Sequence, residues 1–168
     1  MIAVIGENVI DIFTEADGRF IAKTGGSPLN LAIACALQQV PVSYLSPLSS
    51  DAFGDAFLQL LQQRGVTAGW PQRSAAPSSL AFVRIDANGQ PSYSLYRQGI
   101  ADRDYTVDGI VNLLRQQPVP GIFHTGSLLL IPPEHHKVVA ILKSARDLGW
   151  TVSVDINLRP QVAGALPP

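Results

Sequence analysis

The 168-residue sequence contains little cysteine and little charge of either sign. Its single cysteine, Cys35, excludes an intrachain disulfide and any multi-cysteine zinc or iron–sulfur site. The 12 Lys and Arg residues are balanced by 13 Asp and Glu residues and form no cluster, so the electrostatic basis for nucleic-acid binding or polybasic membrane attachment is missing. Intrinsic disorder is excluded too, because 46% of the residues are hydrophobic.

Long apolar runs and targeting signals are also missing. No uncharged stretch approaches the ~20 apolar residues that a membrane-spanning helix needs. The N-terminal run MIAVIGENVID has no basic flank and no small-residue cleavage site, so it does not read as a signal peptide. We therefore expect a cytoplasmic protein of one globular domain, with neither a nucleic-acid nor a membrane partner.

Short β-prone runs alternate with helical patterns along the chain, which predicts an α/β fold with a mostly parallel sheet. Ser27 and Asp51 are suited to cap the first two helices, and Gly65 and Gly149 to end the second and third in a left-handed conformation. The predicted helices are residues 28–39, 53–61 and 138–148. The predicted strands of the main sheet are residues 2–5, 43–48, 121–124 and 151–155.

Two regions interrupt this alternation. Residues 8–13 and 19–23 are β-prone and flank a polar turn, which predicts an antiparallel excursion between the first strand and the first helix. Residues 79–96 predict a second hairpin around the turn at 86–89, where Asn-Gly favours positive φ. The two hairpins could form a small separate sheet or could be edge decoration without a function.

The segment GGSPLNLA, residues 25–32, places two glycines directly before a helix. Adjacent glycines permit a sharp turn and a close approach to a ligand, and the first N–H groups of the helix point towards acceptors. Asn30 offers both a donor and an acceptor, as the recognition of neighbouring sugar hydroxyls requires. The same pattern also fits a tight strand-to-helix turn with an ordinary polar residue.

Two further segments carry charged residues near predicted strands. Asp11 stands among strand-forming apolar residues, where a carboxylate needs a partner, although a solvent-facing position at a strand end is a common alternative. The string DINLRP, residues 155–160, follows a strand, and ligands of open parallel sheets bind at the carboxyl ends of strands. Asp102 and Asp104 lie in a polar loop and are interpreted as solvated. The adjacent His135 and His136 lack the spacing of a chelating pair, so no metal site is predicted.

Five motifs in order resemble the ribokinase-like, or PfkB, carbohydrate kinases: GENVID, GGSPLN, LSSDAFGD, YRQGIADR and DINLRP. Within that family the sequence is most similar to bacterial fructokinases and 2-keto-3-deoxygluconate kinases. The resemblance implies a ribokinase-like Rossmann-type α/β fold, with a mostly parallel sheet flanked by helices. It also implies a small β-sheet lid, formed by about residues 8–23 and 79–97, which in many members makes a homodimer contact.

The resemblance implies roles for eight residues. The first four bind sugar hydroxyls in the family: Asp11, Gly25, Gly26 and Asn30. Arg97 matches an arginine that keto-acid-sugar kinases use on the substrate. The last three match a motif near the sugar and the transferring phosphoryl group, where the Arg159 guanidinium can stabilise negative charge: Asp155, Asn157 and Arg159. The implied cosubstrate and cofactor are ATP and Mg²⁺.

The catalytic elements of the family are missing from this sequence. Members run to roughly twice an ordinary ~150-residue domain, and their second half carries the GAGD base, an N-x-x-E element and most of the nucleotide pocket. We therefore expect residues 1–168 to be the N-terminal, sugar-binding portion of a carbohydrate kinase, with no general base of its own and no activity alone. The alternatives are a non-catalytic sugar-binding or dimerising module and a nucleoside kinase of the same superfamily.

Overall fold

Two β-sheets organise the computed structural model, which describes residues 1–15, 17–85 and 91–157. The strands are β1 (Ile2–Val4), β2 (Val9–Thr14), β3 (Phe20–Gly25), β4 (Val42–Tyr44), β5 (Thr67–Ala68), β6 (Ser79–Ile85), β7 (Pro91–Tyr96), β8 (Ile122–Gly126) and β9 (Thr151–Asp155). The helices are α1 (Ser27–Leu37), α2 (Ala52–Gln63), α3 (Val107–Arg115) and α4 (His135–Asp147).

The main sheet has the strand order β5-β4-β1-β8-β9, and all of its strand pairs are parallel. The central strand β1 shows why the sheet is covered on both faces. Val4 packs into one apolar core with α1 and α2, whereas its neighbours Ala3 and Ile5 pack into the other with α3 and α4. Successive side chains of a strand alternate between faces, so this short apolar run feeds two cores at once. The predicted α/β architecture is confirmed.

The helix ends follow the predicted caps with one exception. Asp51 caps α2, since its Oδ1 accepts the Gly54 N–H at 2.8 Å, and Gly65 adopts φ +70° after that helix. The prediction that Ser27 caps α1 is wrong: Gly26 holds the N-cap position, and Ser27 is the first helical residue. The Ser27 N–H instead donates to Glu7 Oε1 at 3.3 Å, so a side chain from another segment does the work of a cap.

The helix α3 is absent from the predicted elements, although its sequence carries a signal. Val107, Ile110, Val111 and Leu114 recur at helical spacing, and the last three are buried. Thr106 caps the helix by accepting the Gly109 N–H at 3.0 Å. Only nine residues long, α3 is shorter than the average helix, which makes the pattern easy to overlook.

The small sheet, as we call the second sheet, has the order β3-β2-β6-β7. β2 pairs antiparallel with β3, β6 pairs antiparallel with β7, and the two hairpins join through the parallel pair β2–β6. The predicted hairpins therefore form one separate sheet, while the predicted turn at residues 86–89 lies outside the described residues. Across the part of the chain that is described, no helix has the length and apolarity needed to cross a membrane.

Candidate functional site

A cavity of about 320 Å³ lies between the small sheet and the carboxyl ends of the main-sheet strands. One face of the small sheet contributes Val9, Asp11, Ala81, Tyr93 and Leu95. The segments that follow β1, β8 and β9 and the start of α1 contribute Glu7, Gly26, Ser27, Asn30, Ser127, Leu128 and Asn157. Ligands of open parallel sheets bind at this edge, so the cavity occupies the position that the topology favours for a site.

The structure brings Asp11 and Asn30 to the same cavity, as the motifs predicted. Asp11 lies on β2 and is half-buried, whereas Asn30 lies one turn into α1 and is exposed. The Asn30 N–H donates to the Gly26 carbonyl at 2.9 Å, which fixes the helix start beneath the side chain. A carboxylate from β2 and an amide from α1 therefore line the same cavity, and together they offer hydrogen-bond acceptors and donors to neighbouring hydroxyls.

The two glycines before α1 leave room for these groups. A Cβ placed on Gly25 would collide with the Asp11 Oδ2 atom, so the missing side chain at Gly25 permits the Asp11 carboxylate to lie where it does. Gly26 lines the cavity and has φ +119°, a conformation that L side chains rarely adopt, and a Cβ there would collide with the Glu7 carbonyl. Gly25 thus leaves space for the Asp11 carboxylate, and Gly26 permits the backbone turn at the start of α1.

Glu7 is a further polar residue of the cavity lining, and it was not among the site residues predicted from the motifs. Its side chain follows β1 and is 2% exposed, and its Oε1 accepts the Ser27 N–H. Burial raises the pKa of the Glu7 carboxyl, against the lowering effects of its own backbone N–H, of Arg97 and of the Ser127 hydroxyl. The Oε2 atom is buried and has no hydrogen-bond partner among the described residues. The signal in the sequence was a carboxylate placed directly after a buried strand.

Ser127 and Asn157 line the cavity from the segments that follow β8 and β9. Asn157 Nδ2 donates to Ser127 Oγ at 3.5 Å. Both residues have left-handed backbone, with φ +55° at Ser127 and +30° at Asn157, a conformation that costs energy for residues other than glycine. Of the DINLRP residues predicted for the site, Asn157 lines the cavity, Asp155 is exposed at the end of β9, and Arg159 lies outside the described residues.

Arg97 is not among the described residues that line the cavity. Its guanidinium makes two bonds to Asp102, Nη1 to Oδ2 at 3.0 Å and Nη2 to Oδ1 at 3.3 Å, and Nη1 also donates to Ser79 Oγ at 2.8 Å. The Asn8 N–H donates to Asp102 Oδ2 at 3.2 Å. We call Asn8, Ser79, Arg97 and Asp102 the root cluster, because they lie where the strands of the small sheet meet the rest of the chain.

The interpretation of Asp102 as solvated is wrong, since the residue is 0% exposed. Burial raises the pKa of Asp102, and Arg97 opposes this effect through its charge and its hydrogen bonds. Arg97 itself is 8% exposed. Removing one partner of such a pair leaves the other buried and uncompensated, so the pair strongly connects the end of the small sheet to the short 3₁₀ helix Ala101–Arg103.

The cavity is acidic. Glu7 and Asp11 supply two carboxyl groups, and none of the described residues that line the cavity is Lys, Arg or His. Within the described ranges, no group of three or more His, Cys, Asp or Glu residues could hold a metal ion. The described lining therefore suits a neutral ligand that carries several hydroxyl groups.

His124 lies inside β8 rather than at the end of the strand, and its Nδ1 is 3.0 Å from Ser153 Oγ.

Comparison with known proteins gives a match to one family profile and to many relatives. The profile of the pfkB family carbohydrate kinases matches residues 1–160. A fructokinase of Solanum tuberosum is 32% identical over 170 residues, and the match covers 95% of this chain and 52% of that protein. The probable fructokinase-4 of Arabidopsis thaliana is 30% identical over 169 residues, covering 95% of this chain and 51% of that protein.

Solved structures agree with the sequence relatives. A crystal structure of a fructokinase from Xylella fastidiosa superposes with a TM-score of 0.81 at 29% identity, over 99% of this chain and 54% of that one. The same TM-score and identity hold for the Xylella fastidiosa fructokinase with bound ATP. The chain thus spans about half the length of the relatives that it matches.

Proposed function

The chain belongs to the pfkB family of carbohydrate kinases, and we propose that it is the sugar-binding part of an ATP-dependent kinase for a neutral ketose, with fructose as the first candidate. The relatives named above are fructokinases. The observation that carries the proposal is the acidic cavity beside the carboxyl ends of the main-sheet strands, where polar side chains from both sheets converge.

In this proposal the cavity residues have separate roles in binding the sugar. Asp11 and Asn30 bind neighbouring hydroxyls, and Gly25 and Gly26 keep the space that the Asp11 carboxylate and the helix start require. Asn157 lines the same cavity from the segment after β9. Asp155 and Arg159, from the same motif, remain predicted to act near the transferring phosphoryl group, where a guanidinium can stabilise spread negative charge.

A neutral sugar fits this cavity better than a sugar acid. The cation that the resemblance offered for a substrate carboxylate is Arg97, and its guanidinium already makes two bonds to the buried Asp102. The described lining residues supply two carboxyl groups and no cation, so a substrate carboxylate would meet charge of its own sign. These observations support fructose over 2-keto-3-deoxygluconate.

The small sheet is proposed to act as a lid over the bound sugar. One of its faces lines the cavity through Asp11, Tyr93 and Leu95, so movement of this sheet would change the access of water to the site. Its opposite face exposes aromatic rings that pack edge to face. The ring centroids are 6.2 Å apart for Phe20 and Phe82, and 5.7 Å apart for Phe82 and Tyr96. We propose this aromatic face as the homodimer contact that the family resemblance implies.

ATP is the proposed phosphoryl donor, in keeping with the ATP-bound fructokinase of Xylella fastidiosa. Among the described residues, no group of three or more His, Cys, Asp or Glu residues could hold Mg²⁺. We propose that the nucleotide site and the general base belong to the half of the relatives' length that this chain does not cover. The described residues bind and orient the sugar and exclude water from it.

The proposal is tested by measuring ADP release with MgATP and a panel of fructose, 2-keto-3-deoxygluconate, ribose, tagatose, adenosine and guanosine. Both the 168-residue chain and the product of the uninterrupted reading frame are assayed, and sugar binding to each is measured by titration calorimetry. Fructose turnover by the longer product supports the proposal. Turnover of 2-keto-3-deoxygluconate or of a nucleoside alone would overturn the neutral-ketose assignment. Sugar binding without turnover in either protein would favour a non-catalytic binding module.

A further inference from the structure

Glu7 combines three properties that no other described lining residue of the cavity shares. It is almost completely buried, it lines the cavity, and one of its carboxyl oxygens, Oε2, has no hydrogen-bond partner among the described residues. Buried polar atoms without partners also occur on other residues, none of which lines this cavity: Asn8, Arg97, Arg103, Tyr105 and Thr125. Glu7 thus brings an unmade hydrogen bond to the wall of the cavity, and because neighbouring atoms cover Oε2, a ligand reaches it only after a small movement of the carboxyl group.

We propose that Glu7 determines which sugar the cavity accepts, because its Oε2 atom makes a hydrogen bond with one hydroxyl group of the bound sugar. This inference rests on the proposed sugar-binding function. Leaving a buried acceptor unpaired destabilises the protein, so a ligand that supplies the partner recovers that cost on binding. A sugar without that hydroxyl would leave the oxygen unpaired and would be rejected.

The other contacts of Glu7 hold its carboxyl group in place for this role. Oε1 accepts the Ser27 N–H at 3.3 Å, which ties the group to the start of α1. The Ser127 hydroxyl lies near enough to lower the pKa of this carboxyl group, and Asn157 donates to that hydroxyl at 3.5 Å. Residues from three segments of the chain therefore surround the carboxyl group.

A sugar hydroxyl suits this oxygen better than a cation or an anion does. A hydroxyl can donate to the ionised carboxylate and can accept from the protonated acid, so it pairs with Glu7 in either state. A second carboxylate or a phosphate would be repelled by the acidic lining formed with Asp11. A metal ion would need further ligands, and no suitable cluster exists within the described ranges.

The alternative is that Glu7 only supports the start of α1, whose N-cap residue makes no side-chain hydrogen bond. Two variants separate these roles. Glu7→Gln keeps the shape and one oxygen for the Ser27 N–H but replaces the other oxygen with an amide donor. Glu7→Met keeps the length and removes both oxygens. Glu15→Gln, at an exposed position in the turn after β2, is the matched control.

The experiment measures sugar affinity by titration calorimetry for the wild-type chain and these variants, with KM values for the full reading-frame product. The ligands are fructose and a series of analogues, each lacking one hydroxyl. We expect Glu7→Gln to weaken fructose binding about tenfold, Glu7→Met to weaken it further, and Glu15→Gln to leave it unchanged. One analogue should bind equally to wild type and to Glu7→Gln, since the hydroxyl that Glu7 contacts is already missing.

The outcomes separate this inference from the proposed function. Equal weakening of every analogue, or no weakening of any, would overturn the role of Glu7 and leave the kinase proposal standing. An analogue-specific effect without phosphoryl transfer in the longer product would support the role of Glu7 and overturn the kinase. If the wild-type proteins bound none of the sugars, both would be overturned.

Discussion

The root cluster and the cavity each contain a carboxyl group that is almost fully buried, but the two groups differ in how they are satisfied. Both oxygens of Asp102 in the root cluster are hydrogen-bonded, one to Arg97 alone and the other to Arg97 and the Asn8 N–H. Glu7 in the cavity has one such oxygen and one without a partner among the described residues. The two carboxyl groups are buried to nearly the same extent, and they differ in that Glu7 has one oxygen without a hydrogen bond.

This difference separates a structural cluster from the proposed sugar-binding site. Buried polar groups are normally paired within the protein, and Asp102 follows that rule by joining segments far apart in the sequence. Glu7 breaks the rule at the wall of a cavity that also holds left-handed residues such as Ser127, and strained backbone tends to cluster at functional sites. Pairing within the chain indicates stability, and an unpaired buried oxygen beside a cavity indicates a ligand.

The largest effect is expected from breaking the root cluster. Asp102→Asn removes the charge that compensates Arg97 and should lower the free energy of unfolding by about 3–5 kcal/mol, measured by urea denaturation of the 168-residue chain. The control is Asp17→Asn, which breaks the exposed ion pair with Arg19 and should cost less than about 1 kcal/mol.

The opposite result for Asp102→Asn would reverse the comparison. Unchanged unfolding combined with a loss of sugar affinity would place Arg97 and Asp102 in the binding machinery. That outcome would restore the role that the family resemblance implied for Arg97, and it would require the guanidinium to leave its present contacts with Asp102.

The next effect is expected on the cavity wall, where Asn30 is exposed and contributes little to packing. Asn30→Ala should raise the sugar Kd by roughly tenfold, since a hydrogen bond to a neutral group contributes about 0.5–1.5 kcal/mol. The thermal midpoint should change little. Calorimetric titration and thermal unfolding of the same sample check both statements. A variant that unfolds early but keeps its residual sugar affinity would assign Asn30 a structural role instead.

The sequence predicted most of the fold because each element carries its own local signal. Strand β9 has the predicted bounds, and α1, α2 and α4 occur where apolar residues recur at helical spacing. The short α3 was overlooked because nine residues give a weak periodic signal. Ser27 is not the cap because α1 begins one residue earlier than predicted, with Gly26 at the N-cap position. The Ser27 N–H donates to Glu7, twenty residues earlier in the chain, and no local pattern predicts such a contact.

The same limit explains which site residues could be predicted. Asp11, Gly26 and Asn30 belong to local motifs, and all three line the cavity. Asp102 lies in a polar stretch that indicates solvent, but its partner Asn8 is 94 residues away in sequence and brings it into the interior. Glu7 needed two facts that only the fold supplies: the position of the cavity and the missing partner of one oxygen.

A smaller effect is expected from filling the space beside Asp11. Gly25→Ala places a methyl group against the Asp11 carboxylate, and the resulting displacement should weaken sugar binding severalfold while costing about 1–3 kcal/mol of stability through overpacking. The double variant with Asp11→Ala tests the cause. If Gly25→Ala acts through Asp11, adding it to Asp11→Ala should give no further loss of affinity, and additive losses would contradict this interpretation.

The smallest effect sharpens the comparison between the two carboxyl groups through pH. Burial raises the pKa of Glu7 above its ordinary value of 4.5, so its contribution to stability is fully present below that value and is lost as the pH rises through the folded-state pKa. Glu7→Gln cannot ionise, so the free energy of unfolding of this variant should rise relative to that of wild type as the pH increases above 4.5. Urea denaturation at several pH values measures the difference, with Glu15→Gln, at an exposed position, as the control. A difference that stays constant with pH would mean that the ionised Glu7 carboxylate is fully compensated inside the protein, and it would contradict the raised pKa of this group.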